Sequence, residues 1–387
     1  MTKVILIPVY LRLKNSEELL QSEGVQLTRR GIQSLKILRD QDFTLLLLVC
    51  FDLPNGKKES SVSEMDRAFR EEIRALGMKR AFLFSSLNLK GLRSYLDNRN
   101  FKEVSSLIDL KGFSKIRNTG LLLAQALSAE AALFIDNDEV VEDPDFLRIA
   151  CEHLNEKWDG KVVSGKGGFY VDRDGNILLP PQHLWWRTLW NKTKWMNQVW
   201  DKILSSEDRL VPSPLLLGGN LVLHHSLFQS IPFDPFIPRG EDTDYLINAH
   251  RWGFSILFDK KLRIRHLHPE RTKTFFNEEL KGDIERFLYE REKMKEGSDL
   301  DLDPYPGYFL KWTLYPRAFF TTFFLSLDHM GRGDWKGAGR CLESLPLMFQ
   351  KREGGWGKYS AFKADWEKAM EHIQKEGLDE VLGGCQI

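Results

Sequence analysis

The chain has 387 residues, 42% apolar and 28% charged, which is ordinary for a globular protein with an ample core. Basic and acidic residues both number 55, so the net charge is zero and no overall basic excess indicates a nucleic-acid partner. Four scattered cysteines without a C-x-x-C pair favour free thiols in a reducing compartment. The N-terminal apolar run ends at Pro8, too early for a signal peptide, and no membrane-spanning run is present, so a cytoplasmic location is expected.

The first 84 residues alternate between two kinds of pattern. Dense apolar runs predict three buried strands, at 3–7, 44–51 and 81–84. Helical spacing predicts helices between them, at 28–38 and from a capping box of Ser61 with Glu64. This alternation predicts a mostly parallel α/β sheet, whose ligands bind beyond the carboxyl ends of its strands. The polar stretch 88–110 predicts an excursion with one short helix.

The apolar run 131–135 predicts a buried strand that ends in the acids Asp136, Asp138 and Glu139. On an extended chain Asp136 and Asp138 project to one side and Glu139 to the other. Buried carboxylates are costly unless they are paired or bind a metal. Two oxygen ligands at a sheet edge suit Mg²⁺ or Mn²⁺, which substrate phosphates complete. The alternative is an acidic strand end in a solvated loop.

Lys115 and Arg117 approach the helix that leads into this strand, and basic groups beside a helix N-terminus attract anions. The alternative is that both charges lie in a solvated loop and bind no ligand. Farther along, five tryptophans lie within 184–200, among them Trp186. They predict either a packing face or a platform for a sugar ring or a lipid.

Gly218 and Gly219 stand between apolar runs and predict a bulge or a close backbone approach to a ligand. Glu241 and Asp242 open a predicted helix, where the helix dipole alone would favour negative charge. A short extended run then delivers two histidines, at positions 266 and 268. Single histidines are more often structural, but this pair follows two acidic clusters and is a candidate metal or phosphate contact.

Beyond residue 275 no acidic or histidine cluster of this kind recurs. Helical patterns cover 277–294, 335–349 and 361–376, and the stretch 305–327 is aromatic-rich with few charges. This region is either a helical extension packed on the preceding domain or a helical surface that rests on a membrane.

The order of these features resembles that of the GT-A nucleotide-sugar glycosyltransferases, closest to family 2. The resemblance extends over about residues 3 to 270. The segments that carry it are 4–10, 116–120, 134–139, 218–220 and 239–244, followed by His266 or His268.

The resemblance implies a GT-A domain at 1–272, with a nucleotide-sugar half at 1–138, an acceptor half at 139–272 and a helical extension at 273–387. It implies hexosyl transfer from a nucleotide-diphosphate sugar to a hydroxyl of a glycan, a lipid-linked acceptor or a small molecule. The inner face of the membrane is then an alternative location to the open cytoplasm.

The resemblance also implies residue roles. Asp136 and Asp138, with His266 or His268, would hold Mg²⁺ or Mn²⁺ against the diphosphate. Asp242, with Glu241 beside it, would be the general base of an inverting displacement. The implied donor and acceptor contacts are Pro8, Tyr10, Asp52, Lys115, Arg117, Asn118, Asp136, Trp186, Gly218, Gly219 and Asn220.

Two other functions are consistent with the same patterns. A nucleotidyltransferase would share the half-sheet and the acidic metal site, but it would be expected to carry a glycine-rich basic loop after the first strand. A non-catalytic sugar- or lipid-binding protein on the same fold is disfavoured because both acid clusters are intact.

Overall fold

The computed structural model describes residues 1–13, 18–53, 59–181, 184–267, 275–295, 300–348 and 355–387, without the side chains of 59–60, 275–277 and 347. The strands in these ranges are β1 (Lys3–Arg12), β2 (Thr44–Asp52), β3 (Ala81–Ser85), β4 (Ala131–Phe134), β5 (Glu139–Val140), β6 (Lys157–Trp158), β7 (Lys161–Val171), β8 (Leu210–Pro212), β9 (Leu221–His224) and β10 (Ser255–His266).

The helices in the same ranges are α1 (Glu23–Ser34), α2 (Glu59–Arg74), α3 (Ser86–Asp97), α4 (Lys102–Leu107), α5 (Phe113–Ala126), α6 (Phe146–Cys151), α7 (Lys192–Ser205), α8 (His225–Ser230), α9 (Glu241–Arg251), α10 (Phe275–Lys295), α11 (Gly307–Leu310), α12 (Leu314–Gly331), α13 (Trp335–Leu342), α14 (Gly355–Glu376) and α15 (Asp379–Leu382). Short 3-10 turns occupy Leu35–Ile37, Trp185–Arg187 and Leu345–Met348. None of the helices within the described ranges is long and apolar enough to cross a membrane.

The strands form one twisted sheet in the order β3-β2-β1-β4-β9-β7-β10-β5, with β6 and β8 at its side. The first four strands in this order are parallel, and β9 runs antiparallel between β4 and β7. β10 is parallel to β7 and antiparallel to β5. The predicted α/β architecture is therefore confirmed, with an antiparallel strand at its centre.

β1 continues through Pro8 to Arg12, so the predicted strand end at Pro8 is wrong. The carbonyl of Leu6 accepts from Ile135 N–H at 3.0 Å, on the side of β4. Since alternate residues turn their backbone groups to the same neighbour, Pro8 also faces that side, where β4 has already ended. The missing N–H of Pro8 therefore removes no ladder hydrogen bond, and the two strands separate there at their carboxyl ends.

The stretch 88–110 forms part of two helices, α3 and α4, rather than an excursion with one short helix. The capping box lies at Ser85 and Asn88: Leu87 N–H donates to Ser85 Oγ, and Ser85 N–H donates to Asn88 Oδ1 at 3.0 Å. No cap forms at Ser61, because α2 already begins at Glu59.

Both faces of the sheet are buried, as expected for parallel strands. Residues of β1 alternate between two apolar clusters, with Leu6 in one and Ile5 in the other. Trp366 of α14 belongs to the cluster of Leu6, so the C-terminal helices share the core of the sheet. The end of the chain also pairs with the edge strand β3, where Leu83 N–H donates to the Cys385 carbonyl at 2.7 Å. The predicted domain boundary at 272/273 stays a prediction.

Candidate active site

The acids after β4 form a tight turn. Glu139 N–H donates to the Asp136 carbonyl at 3.1 Å, and Asp136 N–H donates to Glu139 Oε2 at 2.8 Å. Because the chain turns here, the two-residue alternation of a strand no longer applies. The prediction that Glu139 points away from the site is therefore wrong: its carboxyl is fully buried against Asp136.

Tyr170, at the end of β7, completes the wall behind this turn. Its hydroxyl oxygen accepts from Gly219 N–H at 2.7 Å, and burial together with the charge of Glu139 raises the pKa of Tyr170 well above its usual value. Burial, followed by the charge of Asp136, raises the pKa of Glu139 well above its usual value, which favours the protonated form. Sequence reasoning missed Tyr170, although a polar residue at the carboxyl end of an apolar strand was a usable signal.

β10 brings His266 to Asp138. The Nε2 atom of His266 lies 3.0 Å from Asp138 Oδ2, and Leu267 N–H donates to the Asp138 carbonyl at 2.8 Å. The ring of His266 also packs on Tyr170, with centroids 4.8 Å apart. The predicted association of Asp138 with His266 is thus present, whereas His268 lies outside the described residues.

Arg117 joins the acids after β4 to those at the start of α9. Its guanidinium is 3.3 Å from Asp136 Oδ1 and 3.2 Å from Glu241 Oε1, and it donates to the Gly218 carbonyl at 2.7 Å. Burial lowers the pKa of Arg117, but the two carboxylates outweigh it and hold the pKa above its ordinary value. The side chain of Arg117 is 4% exposed and lies between the two groups of acids. It therefore does not form the predicted anion-binding group that is open to solvent.

The two acids that open α9 differ in their surroundings. Glu241 is 7% exposed and paired with Arg117, and burial raises its pKa. Asp242 is half-buried, and the one hydrogen bond to its carboxylate among the described residues comes from Thr243 N–H at 2.7 Å. Asp242 is therefore the acid of this pair that solvent or a ligand can reach.

Gly240 precedes these acids with a φ of 73°, in the left-handed region that favours glycine. A Cβ atom there would lie 2.1 Å from Cζ of Arg286, so this guanidinium packs directly on the start of α9. Arg286 comes from α10 and donates from Nε to Glu290 Oε1 at 2.8 Å. Sequence reasoning missed this contact because α10 reads only as a charged helix.

The buried Glu290 predicts a measurable pH effect. Burial raises its pKa from 4.5 to about 7, against the opposing charge of Arg286. The folded protein therefore binds this proton more tightly than the unfolded chain does. The resulting stabilisation is fully present below the unfolded pKa and is lost as pH rises through about 7. Glutamine cannot ionise, so the unfolding free energy of Glu290→Gln, relative to the parent, should rise by roughly 3 kcal/mol between about pH 4 and pH 8. Urea unfolding across this range checks it; a difference independent of pH would contradict it.

The carboxyl ends of β1 and β2 carry a second polar group. Tyr10 donates its hydroxyl to Asp52 Oδ2, and Lys111 Nζ lies 2.6 Å from Asp52 Oδ1. The hydrogen bond from Lys111, then that from Tyr10, lowers the pKa of Asp52. Burial and Asp52 raise the pKa of Tyr10 to about 12, although its side chain is half exposed. Lys111 was not among the predicted residues, because nothing along the chain links it to Asp52.

The two glycines before β9 allow close packing in the site. A Cβ atom on Gly218 would lie 2.5 Å from Arg117 Nη2, and one on Gly219 would lie 2.4 Å from Glu139 Oε1. The predicted close approach is therefore present, but its partners are the charged side chains of the protein itself.

Three predicted contact residues have structural positions instead. Asn118 is fully buried, and its amide exchanges two 2.8 Å hydrogen bonds with the backbone of Phe233. Asn220 is also fully buried and donates to the Phe169 carbonyl at 3.0 Å. Trp186 is 2% exposed within an apolar cluster. These burial values speak against direct substrate contact. Lys115 stays half-buried on α5, two positions before Arg117.

The described side chains of the site offer a divalent metal ion only a few ligands. Within the described ranges, no three His, Cys, Asp or Glu side chains are grouped closely enough to hold a metal by themselves. Asp138 and His266 form a carboxylate–imidazole pair, and the charges of both act on Asp136. Such a set fits Mg²⁺ or Mn²⁺ only as an ion with few protein ligands, completed by phosphate oxygens and water.

A cleft among the described residues lies away from this site. It has a volume of about 750 Å³, and its lining includes Trp158, Leu210, His250 and Ile256. None of the predicted site residues is among its described lining residues. The chemistry of the side chains, rather than cleft size, therefore locates the site.

No family model and no curated protein matches the chain. Among solved structures, it is similar to the mannosyltransferase PcManGT from Pyrobaculum calidifontis in complex with GDP-Man and Mn²⁺, at 11% identity and TM-score 0.47, over 97% of this chain and 87% of that one. It is similar to GalNAc-T7 with UDP, GalNAc and Mn²⁺ at 13% identity and TM-score 0.38, over 80% and 53%. A mycobacterial protein matches at 15% identity and TM-score 0.36, over 71% and 69%.

The class of the fold follows from the chain's own topology. The parallel order β3-β2-β1-β4, the antiparallel β9 beside it and the acids directly after β4 define a fold of the GT-A type, that of nucleotide-sugar glycosyltransferases. Membership of family 2 stays a prediction.

Proposed function

We propose that the protein is a metal-dependent glycosyltransferase of GT-A type that transfers a hexosyl group from a nucleotide-diphosphate sugar to an acceptor hydroxyl. The observation that carries the proposal is Arg117, which binds Asp136 on one side and Glu241 on the other. Through it, acids more than a hundred residues apart along the chain face one space at the carboxyl ends of the parallel strands.

Each part of the reaction has a candidate residue. Asp138 and His266 would hold Mg²⁺ or Mn²⁺, which supplies charge to stabilise the leaving diphosphate. Tyr10, Asp52 and Lys111 stand where β1 and β2 end, in position to bind the nucleoside.

Asp242 would accept the proton of the attacking hydroxyl. Glu241 suits this role less, because its carboxylate is already paired with Arg117. In an inverting displacement the acceptor hydroxyl attacks from the side opposite the leaving diphosphate. A base that stands apart from the diphosphate therefore favours inversion.

We infer that the acceptor is a glycan, a lipid-linked molecule or a small molecule, and that the protein belongs to family 2.

A thermal-unfolding screen with UDP- and GDP-sugars, each with and without Mn²⁺, tests the proposal. A donor at a hundred times its dissociation constant stabilises the folded state by about 2.7 kcal/mol, so a matching donor should raise the midpoint by several degrees. We expect this shift only when donor and metal are both present. Asp138→Asn should abolish it, because the amide cannot supply an anionic ligand.

Asp201→Asn is the matched control, since Asp201 is exposed on α7 and is not part of the site. This variant should keep the full shift. A donor shift that is unchanged in Asp138→Asn would show that the metal site is elsewhere. Transfer of the sugar from the stabilising donor would then distinguish an enzyme from a binding protein.

A further inference from the structure

α12 buries Leu314, Ala318 and Leu325 together with three polar residues, and it exposes four large apolar residues. The polar residues that it buries are Thr321, Thr322 and Ser326, each at most 1% exposed. The apolar residues that it exposes are Phe319, Phe320, Phe323 and Leu327, at 40%, 44%, 42% and 42%. A helix of a water-soluble domain normally places these residue types the other way round, so the exposed side is expected to have a partner.

The exposed residues form a continuous stripe. Pro316, Phe320, Phe323 and Leu327 follow one another at spacings of three or four, which places them on one face of the helix. Two exposed indoles flank the helix along the chain: Trp312 is 75% exposed before it and Trp335 is 69% exposed after it. We call the stripe and its two tryptophans the α12 face.

The surroundings of the α12 face are basic, although the whole chain is neutral. Residues 311–340 contain five basic residues, Lys311, Arg317, Arg332, Lys336 and Arg340, and two acidic residues, Asp328 and Asp334. Both acids have partners within the protein: Asp328 pairs with Arg332 at 2.9 Å, and Asp334 caps α13 through Gly337 N–H at 2.8 Å. Lys311 is also paired, with Asp303 at 2.9 Å, so the segment keeps a local excess of two positive charges, which is complementary to anionic headgroups.

We propose that the α12 face docks on an anionic lipid bilayer, with α12 lying in the interface. Exposed phenylalanine and leucine on one side, indoles at both ends and a basic surround are the features of an interfacial helix. The face is a single convex helix rather than a groove, which suits a planar surface better than a bound peptide. This inference does not depend on the proposed glycosyl transfer.

The helix α12 is also connected to the site through its other residues. Trp185 packs on Phe324, with centroids 5.7 Å apart, and donates to Asp328 at 2.9 Å. Its neighbour Arg187 lies 3.3 Å from Glu279 of α10, the helix whose Arg286 packs on the start of α9. Docking would therefore hold the acceptor side of the site near the membrane, where a lipid-linked acceptor resides.

Flotation of the full-length protein with vesicles tests the proposal. Vesicles of phosphatidylcholine with about a third phosphatidylglycerol should carry the protein upward, and pure phosphatidylcholine vesicles should carry at least tenfold less. Binding to the anionic vesicles should weaken as salt is raised. The double variant Phe320→Asp with Phe323→Asp should lose at least tenfold in partitioning, because it places charge at the depth of the acyl chains.

Leu204→Asp is the matched control, since Leu204 is 40% exposed on α7, outside the α12 face, and this variant should float like the parent. Unchanged thermal unfolding of all variants shows that they are folded. Absence of flotation with anionic vesicles, or equal flotation of the double variant, overturns the proposal. The proposal is also overturned if the parent sediments as a dimer and the double variant as a monomer. A second copy of the chain would then cover the α12 face. Flotation without any donor binding would leave this inference standing and remove the proposed function.

Discussion

An Asp242→Asn variant should lose about 10² to 10⁴-fold in kcat, the usual contribution of a general base. Asparagine keeps the size of the side chain and can still accept the hydrogen bond that Thr243 N–H makes to Asp242 Oδ1. It cannot take up the proton of the acceptor hydroxyl. Initial rates with the stabilising donor measure the loss.

The same variant should bind donor and metal as the parent does, because Asp138 and His266 pair with each other, while the Asp242 carboxylate accepts a hydrogen bond from Thr243 N–H. The donor-dependent thermal shift with Mn²⁺ measures this. Asp201→Asn, exposed on α7, serves as control and should retain full kcat. If Asp242→Asn lost the donor shift as well, Asp242 would belong to the donor site and the base assignment would be wrong.

Lys293→Met should destabilise the folded protein by about 3–5 kcal/mol, the usual cost of removing one partner of a buried ion pair. The Lys293 ammonium is fully buried and lies 2.5 Å from Asp234, 2.7 Å from Asp244 and 3.0 Å from Asn248. Methionine fills a similar volume but leaves two carboxylates without their cation. Urea unfolding gives the free-energy difference.

Two further variants separate this effect from a general change in α10. Lys295→Met removes an exposed lysine two positions on and should change stability by less than about 0.5 kcal/mol. Lys293→Met combined with Asp234→Asn and Asp244→Asn should recover part of the loss, since no unpaired charge stays buried. If Lys293→Met cost no more than Lys295→Met, the network would not support α9.

The Lys293 network explains why the C-terminal helices matter to the site. Asp244 is in the first turns of α9, three residues after Glu241, and its cation comes from α10. Trp356 of α14 donates to the Lys293 carbonyl at 2.6 Å. The helix that carries Asp242 is thus anchored by residues beyond 275, which the sequence indicated only as a helical extension.

Much of the fold was predictable because local patterns report strands and helices directly. The alternation in the first 84 residues, the strand before Asp136 and the helix opened by Glu241 are all present as predicted, although β1 runs past Pro8 and α1 spans Glu23–Ser34 rather than 28–38. The single helix predicted within 88–110 was wrong because Ser, Asn and Asp among the apolar residues hide the periodicity of α3. Tertiary burial of Leu92 and Leu96 reveals it.

The candidate site was predictable only in part. Asp136, Asp138, His266 or His268, and Asp242 were proposed from residue type, order and the family resemblance; the structure brings Asp138 and His266 together, and the roles stay predictions. The role of Glu139 was not, because the backbone turns after Asp136 and a strand period no longer describes it.

The sequence by itself determined the alternation of strands and helices, the acids at the strand end and the neutral overall charge, because each is a property of neighbouring residues. Only the tertiary structure decided which distant groups meet. It placed Arg117 between Asp136 and Glu241, Lys111 against Asp52 and Lys293 under α9. It also turned the phenylalanines of α12 outward. These outcomes depend on which side chains the packed core leaves room for, and no periodicity along the chain encodes that.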